Sequence, residues 1–184
     1  MPLRPEKNKS RRREALLVID MLNDFVLPGA PLEVPETRRI LPKLGLELAS
    51  ARQKGTPIVY LNDSHARNDP EFTRMGWPPH GVRGTEGALV VEEIRPRKGD
   101  RIVIKHSYSG FYKTSLQRVL NKLGATRLML TGCVTNICIL YIAYEAVLRG
   151  FEVLVKKDCV AGLAQDTHEF ALRQMKETLG VRIQ

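Results

Sequence analysis

Short apolar segments alternate with segments of helical pattern along most of the chain. The apolar segments lie at 15–20, 57–61, 101–105, 127–131 and 152–156, with VRI at 181–183 as a candidate sixth. The helical patterns cover residues 36–54, 114–123, about 136–149 and 166–179. Continuous apolar strands that alternate with helices are typical of a parallel sheet covered on both faces. The pattern therefore predicts a doubly wound, three-layer α/β fold with a mostly parallel sheet of five to six strands.

Two local features add detail to this prediction. Residues 62–99 are rich in Pro, Gly, Asp and Arg, which indicates a long irregular excursion with one short helix near 86–94. Thr114 and Gln117 have the spacing of a capping box at the start of a helix.

Composition places the chain among globular proteins. Its 184 residues are 43% apolar and 27% charged, which fits one packed domain and excludes a disordered or fibrous chain. No apolar run approaches the ~20 residues that span a bilayer, so we expect no membrane partner. Three cysteines are too few for a disulfide framework, and residues 1–14 lack the apolar stretch of a secretory signal. The expected location is the cytoplasm.

The formal net charge is +9, and residues 1–14, with six basic and two acidic side chains, contribute +4 of it. We interpret this segment as a basic, flexible arm that precedes a single domain at 15–184. Such an arm can contact nucleic acid or an anionic surface nonspecifically. We expect no specific nucleic-acid partner.

Reactive side chains follow the predicted strands. Asp20 ends the first strand, Asp63 follows the second, Lys105 ends the third, and Cys138 follows the fourth. Because ligands of doubly wound sheets bind outside the carboxyl ends of the strands, these residues are expected near one another. A cysteine, an aspartate and a lysine can serve as nucleophile, base and electrostatic partner.

Cys138 allows two interpretations. It falls in the first turn of a predicted helix, where the helix dipole and free N–H groups favour a thiolate and can hold an oxyanion. Alternatively, it is a small apolar residue buried in the core. Cys133 and Cys159 are predicted to be core residues, and the separation of Cys133 from Cys138 does not match a C-x-x-C redox motif.

Three motifs in order resemble the isochorismatase-like cysteine hydrolases, and within them the nicotinamidases: LLVIDMLNDF (16–25), VIKHSYSGFYKTSL (103–116) and LTGCVTNICIL (130–140). The resemblance runs from about residue 14 to the end. It implies that Cys138 is the nucleophile, that Asp20 takes its proton and that Lys105 balances charge between them. It also implies a cis peptide at Cys133–Val134, with the Val134 and Cys138 N–H groups sharing an oxyanion hole.

The excursion carries a candidate metal site. One carboxylate and two imidazoles, from Asp63, His65 and His80, suit a divalent ion, although loop histidines can also bind nothing. The resemblance implies that these three residues hold one divalent metal ion, most simply Zn, with Mn or Fe as alternatives. Asp69 stands where some nicotinamidases have another histidine, so direct ligation, action through water and no role all stay open.

Aromatic residues complete the expected pocket. The resemblance implies that Phe25 and Trp77 flank a flat substrate ring, which would gain ~0.5–1.5 kcal/mol from each aromatic contact. Tyr108 is a third pocket candidate, and for both Tyr108 and Phe111 a subunit contact is the alternative. His106 and His168 are expected to be structural or exposed.

The activity implied by the resemblance is hydrolysis of nicotinamide to nicotinate and ammonia through a cysteine thioester. The alternatives are a related cysteine hydrolase acting on another small amide, an isochorismatase-type hydrolase of a vinyl ether, and a basic nucleic-acid-binding module.

The pattern at 136–149 also bears on assembly. This helix is apolar almost all the way round, with its two charged residues near its C-terminal end. One apolar stripe is enough to cover a sheet, so the surplus apolar surface predicts a homo-oligomer, a dimer or larger.

Overall fold

Six parallel strands form one sheet in the computed structural model, which describes residues 13–184. The strands are β1 (Glu14–Ile19), β2 (Ile58–Asp63), β3 (Arg101–Lys105), β4 (Arg127–Cys133), β5 (Glu152–Ala161) and β6 (Arg182–Ile183). Their order across the sheet is β3-β2-β1-β4-β5-β6. Because the chain winds one way from β1 to β3 and the other way from β4 to β6, a topological switch point lies between β1 and β4.

Helices cover both faces of this sheet. They are α1 (Asn23–Val26), α2 (Glu36–Lys54), α3 (Pro70–Met75), α4 (Leu116–Leu123), α5 (Leu140–Leu148) and α6 (Gln165–Leu179). Leu17 and Ile19 of β1 belong to the core beneath α4, α5 and α6. Leu16 and Val18 belong to a second core beneath α2. This alternation along β1 confirms the predicted three-layer α/β fold, since successive strand residues face opposite sides of a sheet.

The backbones of β1 and β4 approach closely at the switch point. Gly132 lies opposite Ile19, and a Cβ at Gly132 would overlap the Ile19 carbonyl oxygen. Gly132 also has a φ of +105°, a conformation that favours glycine. The end of β1, which carries Asp20, is therefore held against the segment that leads to Cys138.

Several strands and helices differ from the predicted bounds. β2, β4 and β5 run further than the apolar pattern indicates, because parallel pairs such as Asp63 with Lys105 and Cys133 with Ala161 extend the ladders. The predicted helix at 136–149 begins as a π-helical turn, Thr135–Ile139, before α5. The helix predicted near 86–94 is replaced by two 3-10 turns, Glu86–Ala88 and Glu92–Ile94. The intervening Val90 instead pairs with Leu22 in a short antiparallel bridge, in which the Val91 N–H donates to the Met21 carbonyl and the Leu89 carbonyl accepts from the Asn23 N–H.

The predicted capping box is wrong. Helix α4 begins at Leu116, whose N–H donates to the Thr114 hydroxyl, while Gln117 bonds to Asn121 one turn later.

The excursion also contains helix α3, which was not predicted from the composition of that segment. Asp69 caps α3 by accepting a hydrogen bond from the Glu71 N–H, and Pro70 occupies its first turn.

Most of the predicted N-terminal arm lies outside the described residues. The described chain starts at Arg13, whose carbonyl accepts hydrogen bonds from the Thr126 and Arg127 N–H groups, and β1 starts at Glu14. Within residues 13–184, every helix is too short or too polar to cross a bilayer.

We predict that Gly132→Ala lowers the free energy of unfolding by about 3 kcal/mol or more, because the added Cβ meets backbone that cannot move aside. Gly45→Ala in α2 is the matched control, since a Cβ there has no neighbour within 4 Å. It should leave stability unchanged or raise it by up to ~1 kcal/mol. Urea unfolding followed by circular dichroism measures both, and equal stability of the two variants would contradict the prediction.

Candidate active site

We name the segment Thr135–Ile139 the Cys138 turn. The buried ammonium group of Lys105 joins the ends of three neighbouring strands, β1, β2 and β3, to this turn. The Lys105 Nζ lies 2.8 Å from Asp20 Oδ2, 3.2 Å from Asp63 Oδ1 and 3.4 Å from Cys138 Sγ. It also donates to the Ser107 carbonyl oxygen at 3.1 Å. The lysine side chain is fully buried, so these partners replace the water that it would otherwise bind.

Asp20 is fixed by its backbone as well as by Lys105. It has a φ of +53°, in the left-handed region that non-glycine residues seldom occupy. Its N–H donates to the Leu61 carbonyl, and its Oδ1 accepts from the Asp63 N–H at 2.8 Å. These bonds orient the carboxyl group toward Lys105. The positive φ of Asp20 is an example of the unusual backbone geometry that is often found at reactive sites.

The two carboxyl groups beside Lys105 differ in acidity. Burial raises the pKa of Asp20 to about 6, although Lys105 opposes the rise. Burial would also raise the pKa of Asp63, but Lys105 and His65 outweigh it and lower that pKa to about 2. Burial alone would lower the pKa of Lys105, yet the carboxylates hold it well above its usual value. Lys105 is therefore a permanent cation, and Asp20 is the carboxyl group better suited to exchanging a proton near neutral pH.

The Cys138 thiol does not show the thiolate preference expected of a helix start. Burial raises the pKa of this thiol well above its usual value, and the neighbouring Lys105 only partly offsets the effect. Desolvation of a sulfur inside the core disfavours its charged form. The thiol consequently needs a base to remove its proton, and Asp20 is the adjacent carboxylate.

The peptide bond between Cys133 and Val134 is cis, as the resemblance implied. The Cys133 thiol donates to the Asp20 carbonyl at 3.2 Å, which ties this peptide to the end of β1. The Val134 carbonyl accepts from the Ile137 and Ile139 N–H groups and so closes the Cys138 turn.

Asp63, His65 and His80 also meet, and they offer one ligand atom each within 4.8 Å of one another. His65 Nε2 lies 3.1 Å from Asp63 Oδ2. Ligand atoms bound ~2.1 Å from one ion lie roughly 3.0–3.4 Å apart, so this separation suits a shared metal. His80 donates through Nδ1 to the Pro78 carbonyl, which leaves Nε2 for an ion. Burial lowers the pKa of His80 and keeps its imidazole neutral, the form that binds metals.

The surroundings of His65 Nε2 support the same group. This buried nitrogen lies 3.1 Å from Asp63 Oδ2 and bonds to no third group among the described residues. Because His65 Nδ1 pairs with Asp69, a metal ion between Nε2 and the Asp63 carboxylate would satisfy both, so the residues fit such an ion. The neighbouring set of His65, Asp69 and Glu71 is a weaker candidate, because there His65 Nδ1 already pairs with Asp69 Oδ2 at 3.0 Å. Asp69 thus lies behind His65, where it can orient the ring.

Sequence reasoning missed two residues near these ligands, Phe72 in the excursion and Asp24 in α1. Phe72 of α3 packs against both imidazoles, with ring centroids 5.2 Å from His65 and 5.1 Å from His80. Asp24 accepts a hydrogen bond from the Gly81 N–H at 2.8 Å and so fixes the residue after His80. Asp24 stands in the first motif and could have been singled out, whereas Phe72 carried no periodic signal.

A small pocket opens beside these groups. The three predicted aromatic residues, Phe25, Trp77 and Tyr108, lie in its wall. The wall also contains residues described above, which are Asp20, Asp63, His80, Cys133, Val134 and Cys138. Three further wall residues were not predicted: Leu32, Ile137 and Leu163. Trp77 Nε1 donates to the Tyr108 hydroxyl at 3.3 Å, and the Phe25 ring meets His80 edge-on at 5.4 Å. The pocket therefore combines a flat aromatic lining with a thiol.

Phe111 and His106 lie away from the pocket wall. Phe111 is buried against Phe151, with Arg149 over its ring, so it belongs to the core. His106 is exposed and bonds through Nδ1 to the Ser64 carbonyl.

Comparison with known proteins places this arrangement in a family. The Isochorismatase domain matches residues 14–183. The chain is 32% identical to a maleamate amidohydrolase of Pseudomonas putida, over 92% of this chain and 82% of that protein. A pyrazinamidase of Pyrococcus horikoshii, solved in complex with zinc, superposes with a TM-score of 0.88 and 36% identity, over 94% of this chain and 98% of the other.

An N-carbamoylsarcosine amidase of Thermoplasma acidophilum superposes with a TM-score of 0.85 and 32% identity, over 94% and 95% of the two chains. The chain belongs to the isochorismatase family and is a hydrolase of that family. The resemblance seen in the three motifs is thereby confirmed.

We predict that Lys105→Met destabilises the fold by ~3–5 kcal/mol, because it leaves two buried carboxyl groups without their cation. Lys156→Met is the matched control. Lys156 pairs with Glu47 at 2.9 Å near the surface, and its loss should cost less than ~1 kcal/mol. Chemical denaturation measures both values, and a Lys105 variant as stable as the control would show that the buried ion cluster is dispensable for folding.

Proposed function

We propose that this protein is a cysteine amidohydrolase that converts nicotinamide and water into nicotinate and ammonia. The observation that supports this most strongly is the convergence of a buried Asp20–Lys105–Cys138 cluster and the Asp63–His65–His80 group on one small aromatic pocket. The cluster supplies a nucleophile and a base, and the pocket limits the substrate to a small molecule.

In the proposed acylation step, Asp20 removes the Cys138 proton and the sulfur attacks the amide carbon. The carbonyl oxygen becomes an oxyanion, which the Val134 and Cys138 N–H groups stabilise. The C–N bond then breaks, and Asp20 returns the proton to the departing ammonia. Lys105 remains protonated throughout and balances the charge of Asp20 and the sulfur.

Deacylation repeats this chemistry with water. Asp20 removes a proton from a water molecule, whose oxygen attacks the thioester carbon. The C–S bond breaks, nicotinate leaves, and Asp20 returns the proton to the Cys138 sulfur. One amide and one water are consumed, and one carboxylic acid and one ammonia are formed, so the cycle regenerates the enzyme.

The pocket walls are suited to orienting a flat ring. Phe25 and Trp77 would flank the ring, and Tyr108 would fix Trp77 through their hydrogen bond. A divalent ion on Asp63, His65 and His80, most simply Zn²⁺ with Mn²⁺ or Fe²⁺ as alternatives, would supply an electrophilic site for the pyridine nitrogen. Asp69 would orient His65 toward that ion.

A second candidate is hydrolysis of another small amide by the same three residues. It is favoured by the likeness of the chain to a maleamate amidohydrolase and an N-carbamoylsarcosine amidase at 32% identity each. A vinyl ether hydrolase would have less use for a buried thiol beside a base, and a nucleic-acid-binding module would have less use for the whole cluster.

Cys138→Ala should lower amidase activity by at least about 10³-fold and leave the fold intact, because only the nucleophile is lost. Cys159→Ala, also a buried free thiol, is the control and should retain activity. Ammonia release from a panel containing nicotinamide, pyrazinamide, maleamate and N-carbamoylsarcosine checks both variants. Preference for maleamate or N-carbamoylsarcosine over nicotinamide would replace nicotinamide with the second candidate, and an active Cys138→Ala enzyme would exclude the thioester route.

Purified protein should hold about one divalent ion per chain, and His80→Ala should reduce that content. His106→Ala is the control, since this exposed histidine lies outside the ligand group. Elemental analysis of both variants, with amidase assays before and after chelation, tests the site. Full activity in a metal-free preparation would remove the ion from the proposal.

The outer face of α5 supports the proposed homo-oligomer. Tyr141, Tyr144 and Leu148 are 48%, 47% and 66% exposed. Tyr141 and Tyr144 also border an apolar groove that reaches Leu179 of α6. A second copy of the chain that covers this face would remove this apolar surface from water.

Leu148→Glu should therefore shift the protein toward a monomer of 20.8 kDa in sedimentation. Leu46→Glu on α2 is the matched control, because Leu46 is similarly exposed at 68% but lies on the opposite face of the sheet. Equal sedimentation of both variants and the unmodified protein would exclude the α5 face as the interface.

A further inference from the structure

A histidine outside the pocket holds the beginning of the Cys138 turn. His168 lies in the first part of α6, and its Nδ1 shares a hydrogen bond of 2.9 Å with the Thr135 hydroxyl. Thr135 is the first residue of the turn and is fully buried. The resemblance assigned no role to either residue.

This contact ties the turn to α6. Backbone bonds link the turn to its neighbours in sequence, from the Ile137 and Ile139 N–H groups back to the Val134 carbonyl and from the Leu140 N–H to the Thr135 carbonyl. Side-chain hydrogen bonds of Lys105 with Cys138 and of His168 with Thr135 connect it to other parts of the fold, and Asp20 also interacts with the Cys138 thiol. The Lys105 bond holds the reactive sulfur, and the His168 bond holds the point where the turn starts.

His168 is itself held in place. Gly162 follows β5, and a Cβ at Gly162 would lie 2.9 Å from the His168 Cβ, so glycine allows α6 to start close to the sheet. The His168 N–H donates to the Ala164 carbonyl. Burial lowers the pKa of His168, which keeps the imidazole neutral at physiological pH.

His168 is not among the residues that line the Cys138 pocket. It lines a neighbouring cavity with Glu36, Lys157 and Gln165, and Leu163 borders both spaces. An effect of His168 on the reaction is therefore expected to act through Thr135, with which it shares its hydrogen bond.

We propose that His168 is a positioning residue that acts through Thr135: their hydrogen bond fixes the start of the Cys138 turn and thereby the place of the sulfur beside Lys105 and Asp20. The inference rests on the proposed role of Cys138 as nucleophile. A displacement of about 1 Å in a reacting group can cost roughly 10²-fold in rate, so a bond at the start of a five-residue turn is enough to matter.

His168→Leu should lower kcat roughly 10–100-fold with KM within ~3-fold of the original value, since the pocket wall is untouched. His168→Asn should restore kcat to within ~3-fold, because the amide group can occupy the place of Nδ1. Thr135→Val should match His168→Leu, and the double variant should be no worse than either single one, because both remove the same bond.

A second measurement needs no substrate. Alkylation of Cys138 by iodoacetamide at pH 7, followed by peptide mass analysis, should slow at least ~5-fold in His168→Leu and recover in His168→Asn. Glu169→Ala, on the exposed side of the same helix, is the control and should react like the original protein. Thermal melting of each variant separates a displaced turn from an unfolded chain.

The outcomes separate the two proposals. If Cys138→Ala retains amidase activity, the proposed nucleophile is wrong. If Cys138 is reactive but His168→Leu leaves kcat and alkylation unchanged, the positioning role alone is overturned. Additive losses in the double variant, a rise in KM alone, or equal losses in the Leu and Asn variants would also overturn it.

Discussion

A fully buried lysine ammonium is the constraint on which the site depends. Lys105 can remain charged inside the protein only because Asp20, Asp63 and the Ser107 carbonyl surround it. These partners come from the ends of β1 and β2 and from the loop after β3, so the charge holds neighbouring strand ends in register. The sulfur of Cys138 then occupies a remaining side of the ammonium. The same cluster of residues around Lys105 therefore holds the strand ends together, keeps the ammonium charged and places the reactive sulfur.

Asp63 connects this cluster to the histidines. One carboxylate oxygen faces Lys105 and the other faces His65. The lowered pKa of Asp63 keeps this bridge ionised, while the raised pKa of Asp20 suits it to proton exchange. Two aspartates in one pocket therefore differ in role because their partners differ.

Much of this could be predicted from the sequence, because the relevant rule is topological. Apolar segments locate the strands, and parallel strands bring Asp20, Asp63 and Lys105 to one edge wherever the intervening loops run. The excursion could not be predicted in the same way. Asp24 acts through Gly81, which is distant in sequence, and Phe72 acts through ring contacts with the two histidines of an irregular segment. The segment predicted as a helix near 86–94 instead pairs with the backbone at Leu22. The protonated thiol of Cys138 was missed because burial depends on the complete fold.

The attachment of the excursion to α1 determines how the site can come apart. Asn23 donates to the Glu86 carbonyl and Asp24 accepts from Gly81, while Phe25 of the same short helix packs against His80. A local opening that breaks these contacts would withdraw the His80 imidazole from the Phe25 ring in one event, while the sheet and its ammonium could stay folded. Hydrogen exchange would report such a sub-global opening separately from global unfolding.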